Sequence, residues 1–227
     1  TLFTSRYRID APAFEVIDGV EIYRAGGRFG VYLWAVYYYF KSFRGKFDVV
    51  IDQINTVPFF TPLYVQEKKI AFIPQLARIV WFYETRLPFS LIGYFLEPLF
   101  LQVYRQSKII TISLSSQNDL RRFGLSNIEI IPMSIDLTPV AILETKPSGL
   151  SLAFLGRLVP GKRALDALTA FALVKKSVLE ARLTIVGRGT AEYQNLLEER
   201  IKELEISDGV DLVRNATDWQ RNEILKR

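Results

Sequence analysis

The chain of 227 residues contains neither cysteine nor histidine. Without cysteine there are no disulfides, and the count fits a reduced compartment. Without either residue, zinc and copper sites of the usual kind are excluded, as are Ser-His-Asp and Cys-His catalysis. Any general base must be Asp, Glu, Lys or Tyr. No apolar run reaches the ~20 residues of a membrane span. No long Lys/Arg block or stripe occurs either, so nucleic acid is not the expected partner, although the formal charge is +5. That charge favours phosphates or a lipid surface. Methionine is nearly absent too. The one residue is Met133, so Thr1 is no ordinary initiator and a removed start or a longer parent chain is expected. The polar, basic stretch from Thr1 to Arg8 does not read as a signal peptide.

What is present is an ordinary globular composition, 49% apolar and 23% charged. Short apolar runs read as strands buried on both faces, the habit of parallel sheets. They are FDVVID from Phe47, KIAFIP from Lys69, KIITIS from Lys108 and IEIIP from Ile128. Phe29 to Phe40 reads as a helix with aromatics on most faces, either a buried core helix or a membrane-surface helix with cationic flanks. In Phe89 to Tyr104, Pro98 should kink or break a helix. Ser115 to Phe123 should be a short helix capped by Ser115 or Ser116, with Asp119 in its first turn. Thr138 to Gly149 has linker composition. Beyond it, strands at Ser151 to Leu155, Ala181 to Val186 and Val210 to Val213 alternate with helices at Ala164 to Lys176, Thr190 to Glu205 and Asp218 to Lys226. The pattern is α/β: two Rossmann-like parallel-sheet domains, 1–140 and 151–227, joined by a linker at 141–150 and both truncated.

The sharpest candidate site is GRLVPGKR, Gly156 to Arg163, between a strand and a helix. Ligands of open α/β sheets bind beyond the carboxyl ends of the strands, where a helix start offers unpaired N–H groups. With Arg157 and Lys162 there, the loop is either a diphosphate cradle or a solvated basic turn. Gly187-Arg188-Gly189 follows the next strand. It is an incomplete GxGxxG, and its plain alternative is a tight turn. Asp52 and Asp136 end predicted strands. Asn55 could bond a sugar hydroxyl or hold its own turn, and Trp81, Phe82 and Tyr83 could stack on a ligand or pack in the core. No acidic spacing marks a glycosidase pair.

Taken in order, FDVVIDQINTVPFFTPLY (Phe47 to Tyr64), IPQLARIVWFYE (Ile73 to Glu84), IITISLSSQNDLRRFG (Ile109 to Gly124), IEIIPMSIDL (Ile128 to Leu137), FLGRLVPGKRALDALTAFALV (Phe154 to Val174) and LTIVGRG (Leu183 to Gly189) resemble the retaining GT-B glycosyltransferases of family 4. The resemblance implies an acceptor-side domain facing a nucleotide-sugar domain across a cleft. It implies transfer of a hexose to a glycan or lipid-linked acceptor, in the cytoplasm, with peripheral contact at the inner membrane face. Gly156, Arg157 and Lys162 match the donor-diphosphate site, with Gly187 and Arg188 also toward the nucleotide-sugar. Asn55, Gln75 and Ser113 fall on the acceptor side. No metal or other cofactor is implied, since fixed cations would meet the leaving-group charge. The chain departs from the family at Pro74, Ser134 and Arg163, where His, Gly and Gly are common. The paired Glu of such enzymes would lie beyond Arg227. The competing readings are a non-catalytic remnant that binds a phosphate-bearing ligand or protein partner, and a nucleic-acid-binding protein.

Overall fold

Asp18 and Gly19 both take positive φ, 48° and 77°, which lets a tight hairpin turn follow the natural twist of its strands. They join two strands of a small sheet that the apolar runs did not indicate. Its members are β1 (Leu2–Thr4), β2 (Phe14–Ile17) and β3 (Val20–Arg24), ordered β1-β3-β2. The structure is a computed structural model and describes residues 1–8, 10–134 and 149–226. Asp136 and the expected linker up to residue 148 lie outside the described residues. The chain forms two compact units, Thr1–Ile135 and Asp136–Arg227.

In the first unit, α1 (Val31–Tyr38) runs into a π-helical turn, Tyr39–Phe43. The helix expected over 29–40 is buried on one side only. Val31, Ala35 and Tyr39 recur every four residues and are buried, while Phe29, Leu33, Trp34, Tyr37 and Phe40 are exposed. A second, wholly parallel sheet contains β4 (Val49–Gln53), β5 (Lys68–Phe72), β6 (Lys108–Thr111) and β7 (Ile128–Ile130), in that order. Its core gathers Ile73, Tyr104, Ile109, Leu120 and Leu125.

Three further helices belong to this unit: α2 (Val80–Glu84), α3 (Phe89–Gln102) and α4 (Leu114–Arg122). Of the kink or break expected at Pro98, the break does not occur: α3 passes through it. Proline removes the N–H that would reach the carbonyl four residues back. That carbonyl belongs to Tyr94 and instead accepts a hydrogen bond from the Arg78 guanidinium at 3.1 Å. The cap of α4 also differs: it is Ser113, in extended conformation, whose side chain accepts the Ser116 N–H at 3.2 Å. Ser116 is diverted, its hydroxyl donating to the Pro74 carbonyl at 2.7 Å. Because the helix starts earlier than expected, Asp119 sits near its end and pairs with Arg122.

The second unit repeats strand and helix: β8 (Ser151–Leu155), α5 (Ala164–Ser177), β9 (Arg182–Gly187), α6 (Ala191–Glu203), β10 (Val210–Arg214) and α7 (Asp218–Lys226). Its sheet is parallel, ordered β10-β9-β8. Leu168, Phe171, Ile185 and Leu197 form the centre of its core. Each such side chain contributes about 1.5–3 kcal/mol on burial.

Candidate functional site

The loop between β8 and α5 is held by its alternation. Leu158 is fully buried in the second core, and Arg157 beside it is exposed. Past the end of β8 the backbone keeps pairing with the chain leaving β9. The Gly156 N–H donates to the Val186 carbonyl at 3.1 Å, and the Leu158 N–H to the Arg188 carbonyl at 2.7 Å. This zipper explains the glycines of the second motif. A Cβ on Gly187 would collide with the Gly156 carbonyl, and one on Gly189 with the Leu158 carbonyl. Packing of loop against loop therefore accounts for both.

The loop then makes a 3₁₀ turn, Pro160–Lys162, and enters α5 through Arg163 at φ 60°, ψ 37°. A side chain in this left-handed region is strained. Of the two departures from glycine, Arg163 occupies a turn with positive φ and Ser134 does not. The Arg163 guanidinium pairs with Asp166 in the first turn of α5, and no side chain caps the helix. Arg157 and Lys162 are both exposed and, among the described residues, have no ion-pair partner. Arg188 lies exposed one strand over. The carboxyl edge of β8 and β9 thus carries three available cations beside a helix start, an arrangement that can hold an anion.

In the first unit, parallel strands bring Asn55, Gln75 and Ser113 to one sheet edge, just past the carboxyl ends of β4, β5 and β6. Asn55 and Gln75 are exposed. Ser113 is engaged as the α4 cap, with its hydroxyl 3.0 Å from those of Ser115 and Ser116. Pro74 presents no donor to this edge, and its carbonyl is tied to Ser116.

Two buried carboxylates anchor this edge. Asp52, 2% exposed, accepts the Thr61 hydroxyl at 2.9 Å and the Tyr104 hydroxyl, which ties β4 to the chain after α3. Burial, then the Asp52 charge, pushes the Tyr104 phenol up. The strand-end aspartate is therefore architectural. Glu97, 4% exposed, accepts the N–H groups of Ala77 and Arg78 at 2.7 and 2.8 Å and the Trp81 indole at 3.2 Å. It pins the loop that carries Gln75. Trp81 lies against Gly93, where a Cβ would strike its ring. The Arg78 guanidinium stacks over Tyr94 at 3.9 Å. Of the aromatic trio, Trp81 packs inside, whereas Phe82 and Tyr83 are exposed. No sequence signal links Glu97 to a loop so far upstream. Among the described residues, no three acidic side chains are grouped to hold a metal ion, and no helix is long and apolar enough to cross a membrane.

Residues 141–227 match the family described as Glycosyl transferases group 1. This segment contains the whole basic corner. No curated protein matches the chain, but solved structures do. A structure described as trehalose-6-phosphate from E. coli bound with UDP-2-fluoro glucose is similar at TM-score 0.66 and 9% identity, over 98% of this chain and 68% of that one. TarM is similar at TM-score 0.58 and 15% identity, over 90% of this chain and 39% of TarM. Anabaena Alr3699/HepE, in complex with UDP and glucose, is similar at TM-score 0.57 and 14% identity, over 90% of this chain and 58% of that one. The fold is α/β, with Rossmann-like parallel sheets of GT-B type. The chain spans less than two thirds of the length of TarM and of HepE.

Proposed function

We propose that the chain is part of a retaining, family 4 type glycosyltransferase that moves a hexose from a nucleotide-sugar to a glycan or lipid-linked acceptor. The observation that carries this reading is the basic corner, Gly156 to Lys162, inside the segment that matches the glycosyl transferase family. Arg157 forks two oxygens of the donor diphosphate, and Lys162 adds a mobile point charge. As the glycosidic bond breaks, negative charge grows on the departing diphosphate. Cations already in place stabilise that charge more than the ground state, which lowers the barrier. The reading needs no metal for this step. Gly187 and Arg188 bound the nucleotide side. Asn55, Gln75 and Ser113 are assigned to the acceptor.

The test is calorimetric titration with UDP, the nucleotide in complex with HepE. Arg157→Ala and Lys162→Ala should each weaken binding about tenfold or more, with unchanged circular dichroism. Equal affinity in wild type and both variants would remove the assignment. Pro74 favours a second reading, a chain that binds the nucleotide without transferring sugar. It offers no donor at the sheet edge, and its carbonyl is occupied. Binding of UDP-sugar with no turnover across glycan and lipid-linked acceptors would decide for that alternative.

A further inference from the structure

The outward side of α3 is apolar and carries no charge. Ser90, Gly93, Glu97 and Leu101 bury one side of the helix, while Phe89, Leu91, Ile92, Phe95, Leu96 and Leu99 are exposed. Phe95 is 68% exposed and Leu99 62%. The one charged residue of the helix is Glu97, and it is turned inward to hold the N–H groups of Ala77 and Arg78. At roughly 200 Å² for each large apolar residue, the exposed fractions of those six side chains come to about 600 Å². Phe82, whose ring meets that of Tyr94 beside Phe95, and Leu87 just before the helix are exposed too. They bring the patch to about 800 Å², more than a monomer ordinarily shows and one partner's share of a standard protein–protein interface.

The spacing of the outward residues identifies the occupant. Ile92, Phe95, Leu96 and Leu99 fall on one stripe of the helix, and their intervals read the same in both chain directions. A two-fold axis between Phe95 and Leu96 therefore sets Ile92 of one copy against Leu99 of the other at both ends. At the centre it sets Phe95 against Leu96. A contact between identical surfaces requires such self-complementarity. It also brings any charge near its own copy, and this stripe has none to repel. Phospholipid headgroups would call for cations, but α3 contains no Lys or Arg. A partner of opposite charge finds nothing to recognise here either.

We propose that α3 is a homodimer interface, pairing antiparallel with α3 of a second copy about an axis between Phe95 and Leu96. The inference does not depend on the glycosyltransferase reading. Sedimentation equilibrium of the full chain should show monomer and dimer with a dissociation constant of about micromolar. Phe95→Glu, at the axis, should raise that constant roughly thirtyfold or more with unchanged circular dichroism. Leu33→Glu, on the exposed apolar side of α1, should leave it as it was.

Because the chain has no cysteine, cross-linking reads the register directly. In the proposed pair Ile92 of one copy lies about 10 Å along the helix from Ile92 of the other, too far for a disulfide, and the same holds for Leu99. Ile92 and Leu99 of opposite copies lie side by side. The double variant Ile92→Cys/Leu99→Cys should therefore form a covalent dimer on mild oxidation, and neither single variant should. A chain that stays monomeric at all concentrations would overturn the proposal. So would a dimer insensitive to Phe95→Glu or equally weakened by Leu33→Glu, or a single cysteine variant that cross-links as fast as the double. Flotation of a monomeric chain with phosphatidylcholine vesicles, abolished by Phe95→Glu, would assign the face to a lipid surface instead.

Discussion

Arg163 and Gly187 show how single residues hold the basic corner. The loop from Gly156 to Arg163 has two glycines, yet its left-handed position is occupied by Arg163. The exposed pair with Asp166 offsets little of that strain. Arg163→Gly should therefore leave stability unchanged or raise it, whereas the β-branched Arg163→Val should lower it by about 1–2 kcal/mol. Urea unfolding of the two variants checks this; equal losses in both would show that the turn does not require φ > 0. Gly187 has the opposite character, since its lack of a Cβ admits the Gly156 carbonyl. The glycine spacing was readable in the sequence, but its cause was not. Whether it serves a phosphate or a neighbouring loop depends on which backbone lies opposite, and here the Gly156–Leu158 backbone lies there.

At the scale of elements, the π-helical turn is fastened to the loop before β5 by Glu67. Its carboxylate accepts the Tyr39 hydroxyl at 2.7 Å and the Gly45 N–H at 2.6 Å. The Tyr39 hydrogen bond, then that of Gly45, holds Glu67 at about 2, below its ordinary 4.5. A depressed carboxylate stabilises the fold fully above its unfolded pKa and loses that contribution as pH falls through the folded value. Tyr39→Phe should thus be less stable than wild type at neutral pH, with the gap closing as pH drops from 4.5 toward about 2. Urea midpoints across that range give the answer, and a gap independent of pH would exclude the linkage. Element types were largely legible. The apolar runs located β4 to β10, although the burial on both faces that such runs suggest is not met throughout: Val49 and Ile51 of β4 are exposed. The β2–β3 hairpin was missed although Asp18-Gly19 signals it. The unbroken α3 was not legible, because the partner of the Tyr94 carbonyl is Arg78, outside the helix.

For the whole molecule, two separate cores mean that a ligand of one unit should leave a local signature. UDP at about a hundredfold excess over its dissociation constant stabilises what it binds by about 2.7 kcal/mol. Hydrogen exchange should then slow at the ends of β8 and β9 and the start of α5, while β4 to β7 stay as they were. Protection confined to the first unit would overturn the donor assignment. The sequence by itself determined the α/β class, the exclusion of histidine and cysteine chemistry, and the basic loop between a strand and a helix. Each follows from local composition or period, which one stretch of chain carries alone. Only the tertiary structure decided that Asp52 and Glu97 are anchors, that Ser113 is a cap, and that half of α1 faces outward. Those outcomes depend on residues distant in the chain, such as Tyr104 for Asp52 and Ala77 for Glu97. A carboxylate becomes structural when folding removes its water and supplies N–H and O–H donors in its place.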